Sequence, residues 1–403
     1  MDAVGKALKV SGLQRQYAGQ FVVLWLVGML AYAGFGLAYP QFSVLITDQG
    51  FTLQQFGLIQ GLATFLSISS QVSIGKLSDR LDKRKPILAG ALLLSIPVTV
   101  IFPHAQSLVL FVVLLAVNQL ATSLFNATAA NWVTRFGVKE QLGRMHGFYR
   151  ISFSVGWVLA TAFMGTSLDR WGVEATFYLG AGMVALALLL TVLLTRDVAS
   201  EPAAVVREVQ DTSGHFQWPL QLKVILAALG IFTLAQTMGT HLNYIFLRQE
   251  MQVTNQQFGM LSSVQSWPEI PLMLALGIVA DRASSTALVA GGMLLAGLRW
   301  LLMSIVRGIP FLYAIMPLHA IGMTITEVVI IAVITRQVPS RFLGTVMGWQ
   351  VTVLSAARLL APLLAGMVGE HFGIRVVFLV SALISAAAGL LIAYSASGAN
   401  KRG

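Results

Sequence analysis

The sequence predicts an all-α membrane protein: twelve transmembrane helices in two six-helix halves, with both termini on the cytoplasmic side. Three observations carry that expectation. Composition is the first: of 403 residues, 56% are hydrophobic and only 10% charged, with a mean hydropathy of +0.77, against roughly 25% charged in a soluble domain. The second is the recurrence along the whole chain of apolar runs of about 20 residues, the length that crosses a ~30 Å hydrocarbon core. The third is an internal repeat that divides the chain in two. High apolar content excludes disorder, the absence of cysteine excludes a disulfide scaffold, and the charge of a cytosolic enzyme's surface is missing.

In order, the runs fall at 21–44, 56–75, 87–103, 108–129, 147–167, 174–195, 221–247, 258–278, 287–306, 310–334, 345–366 and 373–396. Each is expected to be a helix, because an open sheet leaves backbone groups unpaired in lipid. The first run is too long for a signal peptide and no A-x-A site ends it, so it is expected to stay in the mature protein. Twenty Lys and Arg then fall in the N-terminus, the even-to-odd loops with their edges and the C-terminus. Four (Arg170, Arg248, Arg307 and Arg375) fall on the other side. That bias places both termini in the cytoplasm of a cell that holds the protein in its inner membrane. The sequence pI of about 10.1 therefore reflects topology, and a nucleic-acid partner is not expected.

The one long polar stretch, 196–219, reads as a cytoplasmic linker between an N-terminal bundle (1–195) and a C-terminal bundle (220–403). The halves repeat. Thr52-Leu-Gln-Gln-Phe-Gly57 returns as Thr254-Asn-Gln-Gln-Phe-Gly259, and Gly75 with Asp79-Arg80 as Gly277 with Asp281-Arg282, both offset by 202 residues. Leu142-Gly143 returns as Leu343-Gly344, and Trp171-Gly172 as Phe372-Gly373, offset by 201. Two parallel six-span halves with a binding site at their repeat interface is the layout of an alternating-access carrier.

The run from Gly75 through Asp79-Arg80 to Arg84-Lys85 resembles the signature between the second and third spans of the major facilitator superfamily. The second copy and the twelve-span plan extend that resemblance over essentially the whole chain. It implies a cytoplasmic gate of Gly75, Asp79, Arg80, Arg84, Asp281 and Arg282, in which glycine allows close helix approach and the charges form a latch. Positive-inside topology alone would explain Lys83 to Lys85, but not the recurrence of Asp79 as Asp281. A narrower resemblance, to the branch of lactose, nucleoside and phenylpropionate permeases, lies in Gly147-Phe-Tyr-Arg150 with Trp157, in Trp267-Pro-Glu269, in Leu298-Arg299-Trp300 and in Leu318-His319. It implies that Arg150 and Trp157 contact solute. The sequence departs from lactose permease in having Gly322 one turn after His319, where that permease has a carboxylate. Its fourth span offers Asn118, Gln119 and Asn126 in place of an acid.

Of sixteen acidic residues, Glu269 and Glu327 alone lie deep in spans, where an unpaired charge costs ~2.5–3.5 kcal/mol or more. A structural ion pair with Arg299, Arg358 or protonated His319 is one reading. The other is proton loading by a carboxylate whose environment changes as a cavity opens. By rise along the helix, Arg299, His319 and Arg358 each lie roughly 10–14 Å below the outer span ends and could share a layer. Glu269 is expected to pair with that layer and to face substrate, and Glu327 to carry the proton, with His319 able to take part in either role. The candidate solute contacts are thus Arg150, Trp157, Glu269, Arg299, His319, Arg358 and Asn126, with Trp300 suited to a ring.

No phosphate loop appears, and the six histidines are scattered, so neither a cofactor nor a metal site is expected. An intramembrane enzyme would need a nucleophile and base at one depth, and none pair convincingly. The expected partners are a small-molecule substrate, protons and the lipid bilayer, for a chain acting as a monomer. The leading reading is a proton-coupled symporter of a sugar, nucleoside or organic acid. The alternative is an antiporter exporting a drug or metabolite, against which the fifth span lacks the G-P-x-x-G-G pattern.

Overall fold

The structure, a computed structural model, describes residues 15–80, 83–136, 142–197, 218–273, 285–324 and 330–399. These residues are helical or in short connections, with no strand among them. The long elements are α1 (Ala18–Asp48), α2 (Leu53–Arg80), α3 (Lys85–Ile101) and α4 (Leu108–Thr134). The helical stretch Leu142–Leu194 is two helices, α5 (142–171) and α6 (173–194), meeting at Gly172, whose φ of 81° breaks the helical path. After the linker come α7 (Leu220–Ile245), α8 (Asn255–Ser266) and α9 (Ser285–Ile305). Three short pieces follow, α10 (Ile309–Ile315), α11 (Leu318–Thr324) and α12 (Ile330–Gln337), and then α13 (Ser340–Phe372) and α14 (Ile374–Ala399). Eight helices among the described residues are long and apolar enough to cross a membrane, one of them the joined α5–α6 stretch. This is a multi-pass membrane protein.

Two of the expected spans differ in form from a continuous helix. The run 258–278 breaks after α8 in a turn at Trp267–Pro268 and resumes at 269–273; the run 310–334 breaks in a turn at Met316–Pro317. Proline has no N–H to continue the ladder and its ring crowds the preceding turn. The chain re-forms bonds from Ile270 N–H to the Trp267 carbonyl and from His319 N–H to the Met316 carbonyl.

The internal repeat is visible in backbone geometry. Thr52 and Thr254 each open a helix with a reciprocal capping box: the threonine hydroxyl accepts from the N–H of Gln55 or Gln257, and the glutamine side chain accepts from the threonine N–H. Gly172 and Gly373 both take positive φ, 81° and 86°, between consecutive helices. The turns before α2 and α8 both contain a left-handed residue, Gly50 at 87° and Gln252 at 50°.

The chain divides into two compact units. One holds the described residues of Met1–Gln49, Leu62–Glu201 and Val253–Ser263; the other those of Gly50–Gly61, Pro202–Gln252 and Val264–Gly403. In the first, α1 packs along α5 and α6, and α3 along the joined α5–α6 stretch and α4. Its core gathers Phe21, Leu24, Phe125, Trp132, Phe153 and Val184. In the second, α7 packs on α13 and α14, and α9 on α14, around Leu222, Phe232, Met293, Ile334, Val346 and Ile392. Lipid tails offer no hydrophobic drive between helices, so close approach through small residues holds them together. Gly156 of α5 faces the Met29 carbonyl of α1 so closely that a methyl group there would overlap it. Gly156→Ala is expected to cost ~1–3 kcal/mol and lower the melting temperature of the solubilised protein. Gly182→Ala, with open space at its Cβ position, should leave it unchanged or raise it.

Candidate functional site

In the second unit, α9 carries Arg299 into the protein interior, where the residue is 1% exposed. Its guanidinium lies 4.0 Å over the adjacent Trp300 ring. Nη2 donates to Gln265 Oε1 at 3.3 Å and points at Met316 Sδ at 3.9 Å. Gln265 and Met316 stand just before the two proline breaks, so the cation is seated where two helices are interrupted. Gln265 Oε1 also accepts from Asn243 Nδ2 of α7 at 3.2 Å. Arg299 Nε and Nη1 are buried with no hydrogen-bond partner, as is Asn243 Oδ1. His319, half-buried at the start of α11, lies within reach of the Arg299 charge.

This geometry bears on three expectations. Arg299 is met by an amide oxygen and a thioether, and the helix breaks at Trp267–Pro268 immediately before Glu269, which is half-buried where the helix resumes. Arg358 has an exposed side chain on α13, so it does not share the buried environment of Arg299. Trp300 is core: fully buried, stacked on Phe378 at 5.2 Å between centroids, with Nε1 donating to Gln236 Oε1 at 2.9 Å and Gln236 in turn donating to Ser385 Oγ at 3.0 Å. Glu327, Asp281 and Arg282 lie outside the described residues.

In the first unit, Trp157 of α5 is half-buried, with Nε1 buried and unpartnered and its ring edge-on to Tyr39 at 6.2 Å. Arg150, two turns earlier, is exposed. Asn126 Oδ1 accepts from Tyr32 Oη at 3.0 Å, and the Tyr32 ring stacks on Phe153 at 4.1 Å. Of the gate residues, Gly75, Asp79 and Arg80 fall in the last turns of α2, with side chains outside the described set. The backbone N–H groups of Arg84 and Lys85 both donate to Asp197 Oδ1, at 2.9 and 2.8 Å, and Lys85 Nζ donates to the Thr195 carbonyl at 3.0 Å. The start of α3 is thereby tied to the chain leaving α6.

Sequence reasoning missed Gln265, Asn243, Gln236, Tyr32 and Asp197. The amides had a signal, since a carboxamide in an apolar span needs a partner as a charge does; Asp197 sat unnoticed in a polar segment.

The family model of the Major Facilitator Superfamily matches residues 24–244 and again 224–402. The chain belongs to that superfamily. It is therefore a transporter of small-molecule substrates and not an enzyme. A superfamily relative from Deinococcus radiodurans, named as a sugar efflux transporter, is 26% identical over 87% of this chain and 92% of its own. The gentisate transporter of Corynebacterium glutamicum is 24% identical over 86% of this chain and 81% of its own. A mutant form of the nucleoside transporter NupG shares the fold, with a TM-score of 0.78 at 12% identity over 93% of this chain and 99% of that one.

Gln265→Leu removes the acceptor shared by Arg299 and Asn243 and leaves two buried donors stranded. It is expected to destabilise by ~1–3 kcal/mol, read as a lower melting temperature in detergent. Gln257→Leu, which touches only a helix cap, should have a smaller effect.

Proposed function

We propose that this superfamily member moves a small organic solute, a sugar, nucleoside or organic acid, across the cell's inner membrane by alternating access coupled to protons. It works as a monomer of twelve spans with both termini cytoplasmic. The observation that carries this reading is the buried Arg299 guanidinium with two donors unpaired. A cation held at membrane depth costs several kcal/mol unless a partner arrives, and a solute carrying an anionic or polyhydroxylated face supplies acceptors for Nε and Nη1. His319 and Trp157, whose Nε1 is buried without a partner, are proposed as further solute contacts, as are Arg150, Glu269, Asn126 and Arg358. Glu327 is proposed as the proton carrier, with Glu269 able to exchange roles. Gly75, Asp79, Arg80, Arg84, Asp281 and Arg282 are proposed as the cytoplasmic gate, to which Asp197 belongs through its bonds to the Arg84 and Lys85 backbone.

Symport is the leading direction, supported by the resemblance to the lactose-permease-like branch. Export is the second reading, favoured by a relative named for sugar efflux. Purified protein in liposomes with an internal pH dye, challenged with sugars, nucleosides and organic acids, separates them. Under symport, one solute added outside acidifies the lumen. Arg299→Gln is expected to weaken its apparent affinity about tenfold or more, the loss of a charge-assisted contact. Glu327→Gln should bind that solute without moving protons. An inside-acid gradient that drives solute inward with proton release would establish the exporter. Solute uptake that never moves protons would overturn the coupling.

A further inference from the structure

The two capping-box helices, α2 and α8, are each met at their first turn by the same arrangement, made by different parts of the chain. In the second unit, Gly57 of α2 crosses α13 at Gly366: a methyl group on Gly57 would overlap the Pro362 carbonyl, and one on Gly366 the Leu53 carbonyl. One turn beyond Gly366, Glu370 Oε2 accepts from the Leu53 N–H at 2.8 Å. In the first unit, Gly259 of α8 crosses α5 at Gly165, each facing the other helix's backbone with no room for a side chain. One turn beyond Gly165, Asp169 accepts from Asn255 Nδ2 at 2.7 Å and from Gln256 Nε2 at 3.1 Å. Gly57 and Gly259 are offset by 202 residues, Gly165 and Gly366 by 201, and Asp169 and Glu370 by 201. The carboxylates were no part of the sequence motifs, yet they repeat with them.

Each contact joins a helix start from one sequence half to a helix from the other half. Segment 50–61 packs within the second unit, and 253–263 within the first. A carboxylate at a helix's first turn meets unsatisfied N–H groups and the positive end of the helix dipole. Both carboxylates are exposed, so water competes for them and their bonds are weak enough to break and re-form. Glycine crossings add close van der Waals contact without interlocking side chains, which lets the surfaces part cleanly.

We propose that Asp169 and Glu370 are positioning residues of a duplicated latch on the membrane face opposite the Lys- and Arg-rich loops. Each carboxylate holds a helix start against its glycine crossing, and both let go when that face opens during transport. The Glu370 site lies at the far end of α2 from Arg80, a 28-residue helix away.

The chain has no cysteine, so single reporters can be read without background. Ser263→Cys places a thiol at a position 7% exposed, where the serine Oγ donates to the Val158 carbonyl across the α8–α5 crossing. Ala365→Cys places one at a fully buried position beside Gly366. A membrane-impermeant maleimide applied from outside measures how often each crossing opens. Asp169→Ala is expected to raise the labelling rate of the first reporter, and Glu370→Ala that of the second, by about threefold or more, a shift of the size a weak exposed charged contact gives. Melting temperatures should stay near those of the parent. Should the alanine variants fail to fold, Asp169→Asn and Glu370→Gln, which keep shape and remove charge, decide by the same readout with a smaller rise. Labelling at the parent rate in folded variants of both acids overturns the proposal. The experiment needs no knowledge of the solute, so its outcome is independent of the transport assay.

Discussion

Hydrocarbon offers no hydrogen bonds, so a chain that crosses it has to find partners for every polar group from within itself, and most of what is distinctive in this structure follows from that demand. Backbone groups are satisfied by long helices. Where proline interrupts the ladder, at Pro268 and Pro317, short turn bonds take over. Side-chain amides find side-chain partners: Asn243 pairs with Gln265, and Gln236 accepts from the Trp300 indole and donates to the Ser385 hydroxyl. Serine and threonine hydroxyls return to carbonyls one turn back, as at Ser95, Thr99, Thr191 and Ser262. Several buried neutral atoms have no partner, Trp157 Nε1 and Asn243 Oδ1 among them, but Arg299 stands apart because it is fully buried, carries a charge and has two donors unpaired. They mark a place where the resting structure leaves polar capacity open.

The fold was legible because its signals are periodic and strong. Run length, the Lys and Arg distribution and the duplicated Thr-x-x-Gln-Phe-Gly and Trp/Phe-Gly motifs each point to a helical, duplicated membrane protein, and the two glycines of the latter motif adopt the positive φ that favours glycine. Details of the site were less legible. Depth along a straight helix sets Arg299 near Glu269, an arithmetic made for an unbroken helix, and the turn at Trp267–Pro268 interrupts that helix just before the glutamate. Trp300 looked like a solute platform because aromatic rings serve both cores and binding sites; only its stack on Phe378 and its bond to Gln236 assign it to the core. Gln265, Asn243 and Gln236 went unweighed because they carry no charge to flag them.

Pairing of helices within each unit shows how one packing scheme serves twice. The first helix of each half lies along the last two helices of its own half, α1 on α5 and α6, α7 on α13 and α14. Small residues make the tightest approaches: Gly34 of α1 faces the Gly180 carbonyl of α6, while Gly239 of α7 accommodates the Trp300 ring. The scheme is shared while its contents differ. An aromatic cluster of Tyr32, Phe125 and Phe153 fills the first unit near Asn126, and the guanidinium with its amides occupies the second. Duplication has thus supplied two similar frames, and the chemistry placed in each is its own.

The turns preceding α2 and α8 follow the same path with different residues, Gly50 at φ 87° and Gln252 at φ 50°. Glycine enters the left-handed region without steric penalty, whereas a residue with a Cβ is held there at a cost of about 1–2 kcal/mol. The two turns are therefore unequal springs of equal shape: the first is slack, the second wound. A chain symmetric in its architecture is thus asymmetric in backbone strain, with the cost carried by the turn of the second copy.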